Sequence, residues 1–126
     1  MEQPLRVGMI GAGTIAQRLH LPALQQVAGV EVVALAEPNQ ARLQECADNF
    51  GIERGHTDYQ EMLARGDLEA VVVATPNLFH APATIAALEA GCHVLVEKPM
   101  ATNAADARRM AEVARARGKV LTLNLP

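Results

Sequence analysis

The stretch Leu5-Arg-Val-Gly-Met-Ile-Gly-Ala-Gly-Thr-Ile-Ala16 decides how the chain folds. Its first half, LRVGMI (Leu5 to Ile10), is a short apolar run, typical of a strand that is buried on both faces of a parallel sheet. Its second half, GAGTIA (Gly11 to Ala16), has the form G-x-G-x-x-A and opens a helical pattern. Strand, glycine turn and helix in this order predict a βαβ unit that holds a pyrophosphate.

Each position of the glycine turn has a physical reason. Gly11 permits the tight turn, Gly13 lets the backbone approach the pyrophosphate, and Ala16 still allows close packing of helix on strand. The amides around Thr14 and Ile15 face the phosphate oxygens with the positive end of the helix dipole. The ligand predicted is the dinucleotide NAD or NADP, and the alternative is a glycine turn without a ligand.

The rest of the chain repeats the alternation of apolar runs with helical segments that stop at glycines. This pattern predicts an α/β fold: a doubly wound, parallel, six-stranded sheet of order 3-2-1-4-5-6, with helices on both faces and residues 1–126 in one domain. The further strands are predicted at Val30 to Ala36, weakly near His56 and Thr57, and at Ala70 to Pro76, His93 to Glu97 and Val120 to Asn124. The helices are predicted at about Thr14 to Val27 with an irregularity at Pro22, about Asn39 to Phe50, after Asp58 as far as Gly66, about Ala81 to Ala90, and from a cap at Thr102 or Asn103 to Gly118.

Glu37 closes the second strand, where an acidic side chain can accept hydrogen bonds from the hydroxyls of the adenosine ribose. It would repel a 2′-phosphate, so NAD is favoured and NADP is the less favoured cofactor. The alternative reading of Glu37 is an exposed charge at the start of the following helix. Arg42 is a possible phosphate partner, although a solvated helix arginine is the favoured interpretation.

Composition excludes several classes of protein. The net charge is -3 and the only aromatic residues are one tyrosine and two phenylalanines, which disfavours a nucleic-acid partner. No apolar run is long enough to span a membrane, and no signal peptide is recognised. Cys46 and Cys92 are interpreted as free thiols in a reducing cytoplasm. No spacing of ligands suggests a metal, and no nucleophilic triad is visible.

Polar residues also follow the fourth and fifth strands, at Thr75-Pro76-Asn77 with His80, and at Glu97-Lys98-Pro99. In a doubly wound sheet these carboxyl ends meet beside the ligand crevice. Taken together, GAGTIA, ALAEPN, ATPNLFH and VLVEKPMA resemble the N-terminal domain of the Gfo/Idh/MocA oxidoreductases. The resemblance runs from about Leu5 to Asn124.

The resemblance implies a role for each matching residue. Lys98 matches the catalytic lysine near the substrate carbinol, and a lysine suits assisted proton transfer where its surroundings tune its pKa. Glu97 matches the glutamate that contacts the nicotinamide ribose, and Pro99 matches a proline that often follows a cis bond and aims the lysine into the site. The remaining matches place Thr75, Pro76, Asn77 and His80 beside the ribose and nicotinamide, with Asn124 at the nicotinamide end.

Members of this family are usually more than twice as long, and their second, α+β domain carries most substrate contacts. We therefore expect this domain to be absent here and the surface that it would cover to favour a homo-oligomer. The resemblance implies hydride transfer between NAD(P) and a secondary alcohol of a sugar or cyclitol. The alternatives are a dinucleotide-binding or redox-sensing module without turnover, and a structural half that works beside another chain.

Overall fold

A computed structural model of the protein describes residues 3–124. The predicted sheet is confirmed: six strands pair in the order 3-2-1-4-5-6, and each neighbouring pair is parallel. The strands are β1 Leu5–Ile10, β2 Val30–Ala36, β3 Arg54–His56, β4 Ala70–Val73, β5 His93–Glu97 and β6 Leu121–Asn124.

The register brings the ends of the strands to one edge of the sheet. Ile10 at the end of β1 lies opposite Ala36 of β2 on one side and Val73 of β4 on the other. Glu97 at the end of β5 lies opposite Asn124 of β6. The strand order reverses between β1 and β4, and such a switch point opens a crevice outside the carboxyl ends.

Three of the five α-helices within residues 3–124 begin at short polar side chains, which accept hydrogen bonds from otherwise unpaired amides. Asn39 accepts from the Arg42 N–H at 3.0 Å, and Asp58 accepts from the Gln60 N–H at 2.8 Å. Of the two caps predicted for the last helix, Asn103 is the one used. The helices are α1 Leu21–Gln25, α2 Gln40–Phe50, α3 Tyr59–Ala64, α4 His80–Glu89 and α5 Ala104–Arg117, with a π-helix at Ala16–His20 and a 3-10 turn at Asn77–Phe79.

Two hydrophobic cores lie on opposite faces of the sheet. Val71 and Val73 of β4 pack against residues of α3, α4 and α5, whereas Val72 packs against residues of the π-helix, α1 and α2. Successive side chains of a strand point to opposite faces, so this division places helices on both sides. The doubly wound arrangement is thereby confirmed. Within residues 3–124, no helix has the length and apolar character needed to span a bilayer.

The predicted bounds of three strands differ from those in the structure. β4 ends at Val73 rather than Pro76, because the chain turns away after the Ala74 N–H donates to the carbonyl of Ile10 at 2.9 Å. Proline has no N–H for the ladder, and Pro76 instead precedes the 3-10 turn. β3 covers residues 54–56 and leaves out Thr57, and β6 starts one residue after Val120.

The predicted irregularity of the first helix is confirmed, and it takes the form of a π-helical turn. The Leu21 N–H donates to the carbonyl of Ala16, five residues back. Pro22 then stands in the first turn of α1, where its missing N–H costs no hydrogen bond. The helix ends at Gln25, earlier than the predicted Val27.

Candidate cofactor-binding site

A cavity of about 700 Å³ lies at the carboxyl edge of the sheet. Residues at or just after the ends of β1, β2, β3, β4 and β5 border it, so it occupies the crevice that the strand order predicts. The predicted site residues that line it are Gly11, Gly13, Thr14, Ile15, Glu37, Thr75, Pro76, Asn77, His80, Glu97 and Lys98.

Two predicted residues lie behind this lining. The carbonyl of Pro99 faces the ring of His80, and the amide of Asn124 donates to the carboxylate of Glu97. Both residues therefore touch a side chain that borders the cavity, and neither borders it directly. The structure also shows the Lys98–Pro99 peptide bond in the cis form that the resemblance implies.

The two glycines of the turn differ in what surrounds them. Gly11 has a φ of 108°, and a Cβ atom there would lie 2.4 Å from the carbonyl oxygen of Ala74. Gly13 has no such φ, and a Cβ atom there would meet no protein atom within 4 Å. Internal packing therefore requires glycine at position 11, but it does not require glycine at position 13.

Glu37 is buried and ties the glycine turn to the start of α2. Its Oε1 accepts from the Ala12 N–H at 3.0 Å, and its Oε2 accepts from the Asn39 N–H at 2.9 Å. The side chain thus contacts the start of α2, but it is buried and is not the exposed charge of the alternative reading. A carboxylate offers about four lone-pair directions, so two amide donors leave room for ribose hydroxyls. The Arg42 Nη1 lies 3.9 Å from Oε2.

His80 joins the loops that follow β4 and β5. It is 1% exposed, its Nδ1 lies 2.6 Å from the carbonyl oxygen of Pro99, and its Nε2 lies 2.8 Å from that of Thr75. A neutral imidazole carries one N–H, so both contacts are full hydrogen bonds only for the doubly protonated ring. Both ring nitrogens face backbone carbonyls, and the geometry makes His80 a clamp between two walls of the cavity.

Glu97 is held by two other side chains. The His20 Nε2 lies 2.5 Å from its Oε1, and the Asn124 Nδ2 donates to the same oxygen at 2.8 Å. Burial by itself would raise the pKa of Glu97, but hydrogen bonds from Asn124, His20 and the Lys98 backbone outweigh it and lower the pKa. The site therefore presents a carboxylate beside the exposed Lys98.

Sequence reasoning missed several residues of this site. The end of β3 contributes Thr57, Asp58 and Tyr59 to the lining, and the 3-10 turn contributes Phe79. The carboxyl-edge rule applied to the third strand would have found the first three. His20 carried no comparable signal. Within residues 3–124, no group of three or more His, Cys, Asp or Glu side chains is arranged to hold a metal.

The family model described as "Oxidoreductase family, NAD-binding Rossmann fold" matches residues 5–125. This match covers nearly the whole chain. The chain belongs to the Gfo/Idh/MocA oxidoreductase family. The resemblance in the sequence is thereby confirmed, and the cavity lies in an NAD(P)-binding domain of this family.

Relatives within the Gfo/Idh/MocA family include dehydrogenases and a ketoreductase. A D-glucoside 3-dehydrogenase of Escherichia coli is 41% identical over 94% of this chain. A 3-ketoreductase from Actinomadura kijaniata, solved with TDP-benzene and NADP, is 42% identical over 97% of the chain, with a TM-score of 0.90. The WlbA dehydrogenase, solved with NADH and UDP-GlcNAcA, is 33% identical over 98% of the chain, with a TM-score of 0.92.

These Gfo/Idh/MocA relatives are longer proteins. The chain spans 34% of the D-glucoside dehydrogenase, 38% of the solved 3-ketoreductase chain and 35% of the solved WlbA chain. The similarity therefore concerns their NAD(P)-binding domain. One solved relative holds NADP and the other holds NADH, so both cofactors occur among the relatives.

Proposed function

We propose that the cavity binds NAD in preference to NADP. The glycine turn receives the pyrophosphate: the Ala12 N–H is already taken by Glu37, which leaves the amides from Gly13 to Ile15 for phosphate oxygens. The open space beside Gly13 supports this assignment, because only a ligand gives a reason for the missing side chain. A diphosphate is the chemical group that such a turn accommodates.

The preference for NAD rests on Glu37. Its carboxylate lies at the end of β2, where the adenosine ribose belongs, and it would repel a 2′-phosphate. Arg42 is half exposed, and its Nη1 lies 3.9 Å from this carboxylate. Among the described residues that line the cavity, it is the one Lys or Arg at the Glu37 end, because Lys98 follows β5 at the other end. We assign Arg42 to the charge of Glu37 and propose that it does not recruit NADP.

The whole protein's reaction follows from the other end of the cavity. We propose hydride transfer between NAD(P) and a secondary alcohol of a sugar or cyclitol, with Lys98 beside the carbinol and Glu97 at the nicotinamide ribose. Lys98 is exposed at the cavity wall and can reach a bound substrate. Two relatives, a D-glucoside 3-dehydrogenase and a 3-ketoreductase solved with TDP-benzene and NADP, support a sugar-like substrate.

The proposal also covers the domain organisation, the cell compartment and the oligomeric state. Residues 1–126 act as one dinucleotide-binding domain, and its two free, buried cysteines suit a reducing cytoplasm. We propose that the chain forms a homo-oligomer through the surface at β6, where Val120 is 60% exposed. Light scattering after size-exclusion chromatography tests the last point, and a monomer over the whole concentration range would contradict it.

One observation carries the cofactor assignment: the glycine turn, Glu37 and Lys98 border a single cavity. Fluorescence titration with NADH and with NADPH tests it. We expect saturable binding of both forms, with NADH tighter by at least about tenfold, as a lost charge-assisted hydrogen bond would cost. Binding of neither at millimolar levels contradicts the assignment, and selective binding of NADPH contradicts the role of Glu37.

An activity assay distinguishes an enzyme from a domain that only binds the cofactor. Sugars and polyols are offered with NAD to the wild type and to Lys98→Ala, and NADH formation is recorded. We expect any activity of the wild type to fall at least about a hundredfold in the variant, the usual contribution of acid–base catalysis. Equal activity in both contradicts the role of Lys98. Cofactor binding without turnover of any polyol favours the non-catalytic dinucleotide module.

A further inference from the structure

The first helix contains a feature that the glycine turn does not explain. Residues Ala16–His20 form a π-helix, a form that is rare and often lies at functional positions. Pro22 cannot donate to a carbonyl four residues back, so a regular α-helical register is unavailable at this point. His20 is the last residue of the π-helix, and it is only 6% exposed.

The side chain of His20 reaches Glu97, which lines the cavity at the end of β5. Its Nε2 lies 2.5 Å from Oε1 of Glu97, and the two side chains are 7% and 14% exposed. The contact joins the helix after β1 to the end of β5, which are 77 positions apart in the chain. Burying two polar groups costs free energy unless each has a hydrogen-bonding partner. The contact between His20 and Glu97 therefore favours one defined position of both side chains.

Asn124 completes the arrangement from β6. Its Nδ2 donates to the same oxygen of Glu97 at 2.8 Å. Among the residues that the structure describes, His20 and Asn124 are the side chains that hydrogen-bond to Glu97, and both reach Oε1. No side chain of residues 3–124 donates to Oε2, and because a carboxylate offers about four lone-pair directions, Glu97 can still accept from a ligand in the cavity beside its bond from the Lys98 backbone.

We propose that His20 is a positioning residue for the second ribose of the dinucleotide. It fixes the rotamer of Glu97 through Oε1, so that Oε2 points a fixed anionic acceptor at the ribose hydroxyls. A hydroxyl is the natural partner of such an acceptor, because a carboxylate accepts hydrogen bonds and donates none. This inference rests on the proposed function, since it assumes that a dinucleotide occupies the cavity.

Three ligands separate this role from a merely structural one. ADP carries the adenosine and the diphosphate, ADP-ribose adds the second ribose, and NADH adds the nicotinamide. In calorimetric titrations, we expect His20→Leu to bind ADP-ribose and NADH about tenfold more weakly, the order of one hydrogen bond to a charged group. Its affinity for ADP should change by less than about twofold, because the adenosine half is remote.

Conservative variants keep the test sharp. In His20→Gln the amide nitrogen can take the place of Nε2, so ADP-ribose affinity should return to within about twofold of wild type. His20→Asn is too short to reach Oε1 and should behave like His20→Leu, which it replaces in the test if that variant does not fold. Arg18→Leu, on the exposed side of the same π-helix, is the matched control and should bind all three ligands normally.

The possible outcomes separate the two proposals. If the wild type binds neither NADH nor ADP-ribose, the proposed function fails. If the wild type binds both and His20→Leu or His20→Asn binds ADP-ribose as tightly, the positioning role fails. A parallel loss of ADP and ADP-ribose affinity in these variants also overturns it, because that pattern reports general damage to the cavity.

Discussion

Gly11 lies so close to Ala74 that a Cβ atom added to it would come within 2.4 Å of the Ala74 carbonyl oxygen. The contact joins the end of β1 to the end of β4, the two strands between which the order of the sheet reverses. The close approach of these two strand ends at the switch point therefore requires glycine at position 11.

Gly11→Ala should therefore destabilise the fold. The Cβ atom meets backbone, and the φ of 108° disfavours any L side chain, so we expect a loss of about 2–4 kcal/mol in the free energy of unfolding. Urea denaturation followed by circular dichroism measures it. Gly13→Ala is the matched control, with a change within about 1 kcal/mol of wild type. Equal stability of the two variants would contradict this account of Gly11.

The fold could be predicted from the sequence because its signals are local. The apolar run Leu5 to Ile10, the stops at Gly51 and Gly118 and the cap at Asp58 each act within a few residues. Parallel strands must then end at one edge, which was enough to group the glycine turn with residues that follow later strands.

The contacts of the two buried histidines could not be predicted. His20 meets Glu97 only because a π-helical turn and β5 come together, and His80 is held by the backbone carbonyls of Thr75 and Pro99. A sequence pattern records the type of a side chain but not a backbone acceptor from a distant loop. The prediction ended β4 at Pro76 instead of Val73, because the sequence does not show where the chain leaves the sheet after Ala74.

Replacement of Glu37 should change both stability and cofactor preference. Glu37→Ser leaves the N–H groups of Ala12 and Asn39 without their acceptor, which should cost about 1–3 kcal/mol of unfolding free energy. With the carboxylate gone and Arg42 retained, the ratio of NADH to NADPH affinity should fall by at least about tenfold. Titration with both cofactors measures the ratio, and Glu45→Gln on the exposed side of α2 is the control. An unchanged ratio would show that Glu37 does not select the cofactor.

The two cysteines should be inert in the folded protein. Burial, reinforced by the charges of Glu37 and Glu45, raises the pKa of Cys46 to about 11, and burial also raises the pKa of Cys92. A thiol whose pKa is higher when folded stabilises the fold below its unfolded pKa and loses this contribution as the pH rises. Stability should therefore decline from about pH 9 upwards. Reaction with Ellman's reagent at pH 8 should be slow until denaturant is added, and prompt labelling of the native protein would refute the prediction.

Glu97 should contribute stability that depends on pH in the opposite sense. Its folded pKa is lowered, so its contribution is present above the unfolded value of about 4.3 and is lost as the pH falls through the folded value. We expect Glu97→Gln to be less stable than wild type by about 1–3 kcal/mol at pH 7, with a smaller difference at pH 3. Denaturation at both pH values checks this, with Glu89→Gln on the exposed end of α4 as the control. A difference that is the same at both pH values would mean that the Glu97 charge is not stabilised by His20 and Asn124.

The most direct test of the central claim is the affinity of Gly13→Ala for NADH, because the structure offers no internal reason for glycine at position 13. If the turn holds the pyrophosphate, the added methyl group stands where the phosphate must approach. We expect NADH to bind at least about tenfold more weakly than to wild type, with the melting temperature unchanged within about 4 °C. NADH affinity equal to that of wild type, in a protein that melts at the same temperature, would contradict the claim that this turn binds the dinucleotide.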